Sequence, residues 1–381
     1  MLAPWHWCRR SAVIQLAKHT RLIADARPFR AQDMVLLRQK NDGGATPILV
    51  GPLCPGQPIP TQPCTMTHDD IIGKRVRDVV RTPDPKSGRP GNEYLIFDVK
   101  LEDYVRMTRR LVTPIYPPDA NLIVHLLDLH PSAEHLEESE HDETKLEILE
   151  AGTGHGALTL YLSRAISAAN SPIPQDQQDV DALSAWKANR RAILHSVEIK
   201  EKYSTRAQRI VTNFRNGLYA PHVDFAIADV SEWVASSLEA RQNVPFLSHV
   251  FLDMGGSDFH VPNVVRAMRV DGCLVMFTPS ITQISECFRK IKKEGVSVYL
   301  EKVIELGVNG GSGGREWDVR LIRPRAWKEA TPTEAGEESS DEPHGPETRD
   351  LLQMVCRPRV GERIQGGGFL GVFRKMRIPT Q

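Results

Sequence analysis

From about position 145 to 303, short apolar runs alternate with stretches of helical period. Lys145–Glu150, Ile193–Ile199, Val223–Ala228, Leu247–Leu252, Cys273–Phe277 and Val296–Val303 are aliphatic and of strand length. Between the first two, Ala157, Leu158, Leu160, Tyr161, Leu162 and Ala165 predict a helix. A second helix is predicted over Tyr203–Leu218, with Ala207, Ile210, Val211 and Phe214 on its inner side. Strand and helix alternating in this way predict a doubly wound α/β sheet. Residues 167–192 lengthen one crossover beyond what packing needs, and Phe369–Arg374 is expected to form the last strand.

Upstream, the apolar stretches Ile71–Val80 and Tyr94–Leu101 flank a run of turn formers, Arg81–Gly91. They predict a small β-rich domain over 66–112, following a linker at 41–65 rich in Gly, Pro and Thr. Its Lys74, Arg75, Arg77, Arg81, Lys86 and Arg89 suit a phosphate backbone or plain solvation. Leu101–Arg110 has Glu102 and Asp103 early and Arg106, Arg109 and Arg110 late, matching a helix dipole. Thr113–Pro118, with three prolines, reads as an extended connector, after which Asp119 is expected to cap a helix over 120–129. The acidic run Glu134–Glu143 reads as a surface loop. Glu329–Asp350, acid-rich and without aromatics, reads as the centre of a disordered insert over 326–362, with order resuming at 363–381.

Lys and Arg total 48 and Asp and Glu total 48, so a polyanionic partner must be met by a local basic face. The longest apolar stretch, Val264–Met276, is interrupted by Arg266, Arg269 and Asp271, which argues against a membrane span. The six cysteines have no metal-ligand or disulfide-scaffold spacing, as expected in a reducing compartment. His249 and His260 lack partners at zinc spacing, so no metal site is expected. The first 24 residues contain Arg9, Arg10, Lys18 and Arg21 but no acid. Residues 1–40 are therefore expected to be a mitochondrial presequence and extension, addressing the matrix. The alternative is an extension of a nuclear or cytoplasmic protein.

In an open parallel sheet, ligands bind at the carboxyl ends of strands. Here those ends carry Gly152–Gly156, Glu198, Asp229 and Asp253. The glycine loop allows close backbone approach, and Glu198 is placed to accept two ribose hydroxyls. Glu150, just before the loop, would repel a pyrophosphate and suits the cationic amino-acid end of S-adenosylmethionine. No Gly-Lys-Ser/Thr follows, so an ATP-binding P-loop is not indicated. A nucleotide-dependent dehydrogenase remains the competing reading of this pattern.

Four segments in this order, Thr113–Ala120, Glu150–Gly156, Phe277–Gln283 and Trp317–Arg320, resemble the tRNA adenosine N1-methyltransferases that act at position 58. Asp70–Val105 resembles that family's small N-terminal β domain. The resemblance covers about 66–325 and resumes over 366–377. It implies a class I Rossmann-like, S-adenosylmethionine-dependent methyltransferase with a tRNA substrate. By this likeness Gly152, Gly154 and Gly156 hold the cofactor's amino-acid portion, with Glu150 and Thr153 in the same loop and His155 a contact or spacer. Glu198 then holds the ribose, Asp229 the adenine edge, and Asp253 the substrate adenine. Tyr116 and Gln283 are candidates for the substrate side.

The family usually continues from this aspartate as Leu-Pro-x-Pro-Trp, whereas this chain reads Asp253-Met-Gly-Gly-Ser-Asp-Phe-His260. Because a T-loop base must be extracted before reaction, a broad RNA grip is needed. The resemblance implies a homotetramer, or a heterotetramer with a non-catalytic paralogous subunit. Competing expectations are N1-methylation of mitochondrial rRNA or mRNA, and a non-catalytic role in RNA binding or ribosome assembly.

Overall fold

The computed structural model describes residues 27–40, 44–59, 61, 65–83, 91–131, 145–174, 179–307, 317–322, 353–358 and 367–377. The expected presequence at 1–24, the acidic runs at 134–143 and 329–350, and Lys86 and Arg89 lie outside the described residues. The chain divides into two units: Met1–Asn41 with Val50–Asp98, and Asp42–Leu49 with Val99–Gln381.

In the smaller unit, Val35–Gln39 pairs antiparallel with Glu93–Asp98, which pairs antiparallel with Val79–Arg81. Leu36, Leu37, Leu53, Ile59, Met66, Ile71 and Ile96 form its buried interior. This unit therefore starts well before Met66, and a strand lies inside the stretch expected to be presequence and extension. Val35-Leu-Leu37 is a fully buried run without the alternation that marks a half-exposed strand. The unit also ends at Asp98 instead of 112. Lys74, Arg75, Arg77 and Arg81 are exposed on it.

In the larger unit the seven-stranded sheet comprises β1 (Leu146–Ala151), β2 (Ala192–Glu198), β3 (Val223–Ile227), β4 (Leu247–Leu252), β5 (Met268–Thr278), β6 (Val298–Leu306) and β7 (Gly368–Lys375). Their spatial order is β6-β7-β5-β4-β1-β2-β3. Neighbours from β5 to β3 are parallel, and β7 is antiparallel to both β5 and β6. The chain runs outward through β1, β2 and β3, then returns to place β4 on the other side of β1. That reversal opens a crevice at the carboxyl ends of β1 and β4.

The helices are α1 (Leu101–Met107), α2 (Pro117–Leu126), α3 (Ala157–Ile166), α4 (Val180–Ala188), α5 (Glu201–Asn213), α6 (Val230–Glu239), α7 (Ser257–Ala267) and α8 (Ile281–Glu294). Val230 and Val234 of α6, Val261 and Val265 of α7, and Ile284 and Ile291 of α8 bury one face of the sheet against Leu149, Val197, Leu252 and Leu274. Each such side chain contributes on the order of 1.5–3 kcal/mol of burial. Tyr104 of α1 donates a 2.8 Å hydrogen bond to the carbonyl of Ile210 on α5 and packs on Phe214 at 5.1 Å, so α1 belongs to this unit.

Several boundaries differ from expectation for physical reasons. Helix α2 starts at Pro117, because proline at the first helical positions forfeits no bond, and Tyr116 takes the cap position expected of Asp119. Helix α5 stops at Asn213 because Arg215 and Asn216 turn left-handed, with φ of 47° and 55°. The lengthened crossover holds α4, whose cap Asp179 accepts from the Ala182 N–H at 3.0 Å. Gln353–Pro358, inside the stretch expected to be disordered, pairs antiparallel with Trp317–Ile322. Among the described residues no helix is long and apolar enough to cross a membrane.

Candidate active site

The crevice is built where β1 runs into the glycine loop. Gly152 has φ +87°, and a Cβ there would lie 2.0 Å from the carbonyl oxygen of Asp253. Only glycine lets the β1 tip pass this close beneath the β4 tip. The Asp253 N–H donates to the Ala151 carbonyl at 2.9 Å, joining the two tips. Gly156 (φ +81°) caps α3 against Ala207, 3.0 Å from where its Cβ would sit.

A small, partly open pocket lies at this junction, lined by Thr113–Ile115, Glu150, Gly152–His155, Ala157, Leu158, Phe251 and Asp253. Glu150 is 1% exposed. Its Oε2 accepts from Thr159 Oγ1 at 2.6 Å and Ser196 Oγ at 2.8 Å. Burial pushes its carboxyl up to about 7, with the charges of Asp253 and Glu198 adding to the rise. Thr153 Oγ1 lies 2.7 Å from the same Ser196 hydroxyl, so the loop and β2 share one hydroxyl network.

Glu198 ends β2 as expected, but its oxygens serve the backbone. Oε2 accepts from the Gly154 N–H at 3.1 Å and Oε1 from the Lys200 N–H at 3.0 Å. Asp253 lines the cavity, and burial followed by the Glu198 charge pushes its carboxyl up to about 6. Glu150, Glu198 and Asp253 thus converge at one end of the sheet.

Asp229 caps α6, its Oδ1 accepting from the N–H groups of Ser231 (2.8 Å) and Glu232 (3.3 Å). His260 Nδ1 stands 2.7 Å from Ser231 Oγ and 3.9 Å from Asp229. His155 is 3% exposed, and neither ring nitrogen has a hydrogen-bond partner among the described residues. Burial, then the charges of Arg206 and Arg110, pushes its imidazole down to about 4, so it is neutral at physiological pH.

The two substrate-side candidates sit outside the cavity lining. Tyr116 is buried at the start of α2, and its hydroxyl accepts from Arg110 at 3.2 Å. Gln283 completes the capping box of α8, its side-chain oxygen accepting from the Ser280 N–H at 3.3 Å. Sequence reasoning missed the wall formed by Thr113–Ile115 and the hydroxyls of Thr159 and Ser196. The signal for Ser196 was present: a hydroxyl residue two positions before Glu198 in the same strand falls on the same face as that acid. No group of side chains among the described residues is arranged to hold a metal ion.

The donor set fits S-adenosylmethionine. Burial and the neighbouring carboxylate charges raise the proton affinity of Glu150 and Asp253, which favours a cation beside them, and the glycines leave room for its amino-acid end. No family model matches the chain. Over 257 residues it is 27% identical to the tRNA (adenine(58)-N(1))-methyltransferase TrmI of Thermus thermophilus, covering 68% of this chain and 78% of the relative. Over 260 residues it is 25% identical to TrmI of Methanocaldococcus jannaschii, described as acting at adenines 57 and 58, with coverage of 65% and 80%. Two solved structures share the fold. A SAM-dependent O-methyltransferase from Thermotoga maritima superposes with TM-score 0.55 at 16% identity, covering 95% of this chain and 99% of the other. TrmI from Aquifex aeolicus, a tRNA (m1A58) methyltransferase, gives 0.50 at 17%, covering 92% and 100%. The seven-stranded sheet with its glycine loop at the β1–β4 crevice is therefore a Rossmann-like methyltransferase fold, in a chain similar in sequence to the TrmI enzymes.

Proposed function

We propose that this protein transfers the methyl group of S-adenosylmethionine to N1 of adenosine 58 in the T-loop of tRNA. The observation that carries the reading is that Gly152 and Asp253 line one crevice, with Glu198 accepting from the Gly154 N–H of its loop, in a chain similar to TrmI over two thirds of its length. The glycine loop, Glu150 and His155 would hold the cofactor's amino-acid end, Glu198 its ribose and Asp229 its adenine. The cofactor supplies an electrophilic methyl on a sulfonium.

The chain's own task is then orientation. Adenine N1 carries an in-plane lone pair and is unprotonated near neutral pH, so it needs no strong base. Ionised above about 6, the Asp253 carboxylate accepts from the exocyclic amino group, which selects adenine. The same charge stabilises the positive charge that methylation creates on the ring. Neutral His155 adds no competing cation beside the methionine end.

The acid-free start supports delivery to the mitochondrial matrix. The modest basic surface of a chain with zero net charge supports a tetramer, either of one chain or with a paralogous non-catalytic subunit. The departure from the family pattern over 254–260 favours, as a second reading, an adenosine in mitochondrial rRNA or mRNA.

The test is methyl transfer from S-adenosylmethionine to unmodified tRNA, mapped by primer extension, with wild type, Asp253→Ala, and tRNA carrying guanosine at position 58. A strong stop at 58 with wild type alone, lost in both controls, is expected. Incorporation that persists on the guanosine-58 transcript, or that appears only on rRNA, refutes the assignment.

A further inference from the structure

The segment after Asp253 forms a surface of its own. Gly256 (φ +73°) leads into α7, and Phe259 in the first turn is 70% exposed. The ring folds back over the loop: a Cβ on Gly256 would lie 3.4 Å from Cδ2 of Phe259. A single exposed aromatic residue is ordinary by itself. This one is clamped from a second helix, with Lys290 of α8 placing its Nζ 3.9 Å from the ring centroid and 3.6 Å from Asp258. The C-terminal half of α8 adds Arg289, Lys292 and Lys293, against the single acid Glu294. An oriented aromatic face with a cation beside it thus stands a few residues beyond Asp253, and further cations follow along α8.

We propose that Phe259, held by Lys290, is a stacking platform for an unpaired RNA base next to the target adenosine, with the α8 cations meeting its phosphates. The inference rests on the RNA-methylation reading and deepens it. Extracting a base costs unstacking of its neighbours, and an aromatic face restores stacking to a neighbour without reading its identity. Arg and Lys beside such a face follow the backbone in sequence-tolerant RNA binding. A second copy of this chain is the poorer occupant, because it would bring the basic halves of two α8 helices together.

The experiment uses the full chain and T-loop tRNA carrying 2-aminopurine on either side of adenosine 58. Wild type, Phe259→Ala and Phe259→Trp are compared for tRNA binding, probe emission, S-adenosylmethionine binding and sedimentation. Stacking on Phe259 quenches the probe in wild type and Phe259→Trp. Phe259→Ala leaves it bright and weakens tRNA binding roughly tenfold, with cofactor affinity retained, and raises KM for tRNA more than it lowers kcat. Equal tRNA affinity and quenching in wild type and Phe259→Ala overturn the platform. So does a loss of binding accompanied by a change in sedimentation, which would assign the face to self-association. If wild type binds tRNA with Phe259-dependent quenching yet methylates no adenosine 58, the proposed reaction fails while the platform stands.

Discussion

Replacing Asp253 with asparagine should make the protein more stable and inactive, and the stability gain should depend on pH. Burial and the neighbouring Glu198 raise the Asp253 carboxyl from its ordinary 3.8 to about 6. A shift of roughly two units corresponds to about 3 kcal/mol of destabilisation once the group is ionised in the folded state. The sign follows from proton binding. Between 3.8 and about 6 the folded protein holds a proton that the unfolded chain has lost, so stability falls as pH rises through that window and then levels off. The asparagine side chain carries no charge and escapes this cost, so the variant's advantage is full near pH 8, shrinks as pH falls through about 6, and vanishes near pH 4. At roughly 2–4 °C per kcal/mol for a domain of this size, the gap in Tm near pH 8 should be about 6–12 °C. Thermal melts of both proteins across pH, without cofactor, measure it directly. A gap that stays constant with pH, or a variant less stable than wild type near pH 8, would show that Asp253 is not held under electrostatic strain.

Gly152→Ala should lose cofactor binding by calorimetric titration and lower Tm. Left-handed backbone alone costs about 1–2 kcal/mol for a side-chain-bearing residue, and the new Cβ would press into the Asp253 carbonyl at 2.0 Å; a variant that binds cofactor normally would contradict the crossing of the two tips. Asp229→Ala should cost about 1 kcal/mol by uncapping α6, whereas Asp229→Asn should keep the cap and still weaken S-adenosylmethionine binding. Equal cofactor affinity in Asp229→Asn and wild type would reduce that aspartate to a helix cap.

The site was legible where a strand ended on a chemically distinctive residue. Apolar runs closing on Gly152, Glu198, Asp229 and Asp253 placed those residues at one end of a parallel sheet, because period and polarity alone determine which end of a βα unit is the carboxyl end. What the chain order could not reveal was how the carboxylates are occupied. That Glu198 supports the Gly154 N–H, and that Glu150 is held by Thr159 and Ser196, depends on side chains brought together from distant positions. Local signals also misled where two readings competed. The prolines at 117 and 118 read as breakers although the first helical turn accepts them. Val35–Gln39 was overshadowed by the basic N-terminal stretch before it. Gln283 and Tyr116 carried polar groups that turned out to be engaged with Ser280 and Arg110.

The antiparallel pairing of β6 with β7 brings Leu306 opposite Gly368. The connection between the two strands therefore has its two ends side by side, at one doorway onto the sheet. Because the entropy of closing such an excursion grows only slowly with its length, this doorway is where an evolving lineage could lengthen, shorten or exchange an appendage with little disturbance to the crevice at the tips of β1 and β4. A protein engineer wishing to graft a foreign module onto this scaffold would choose the same junction.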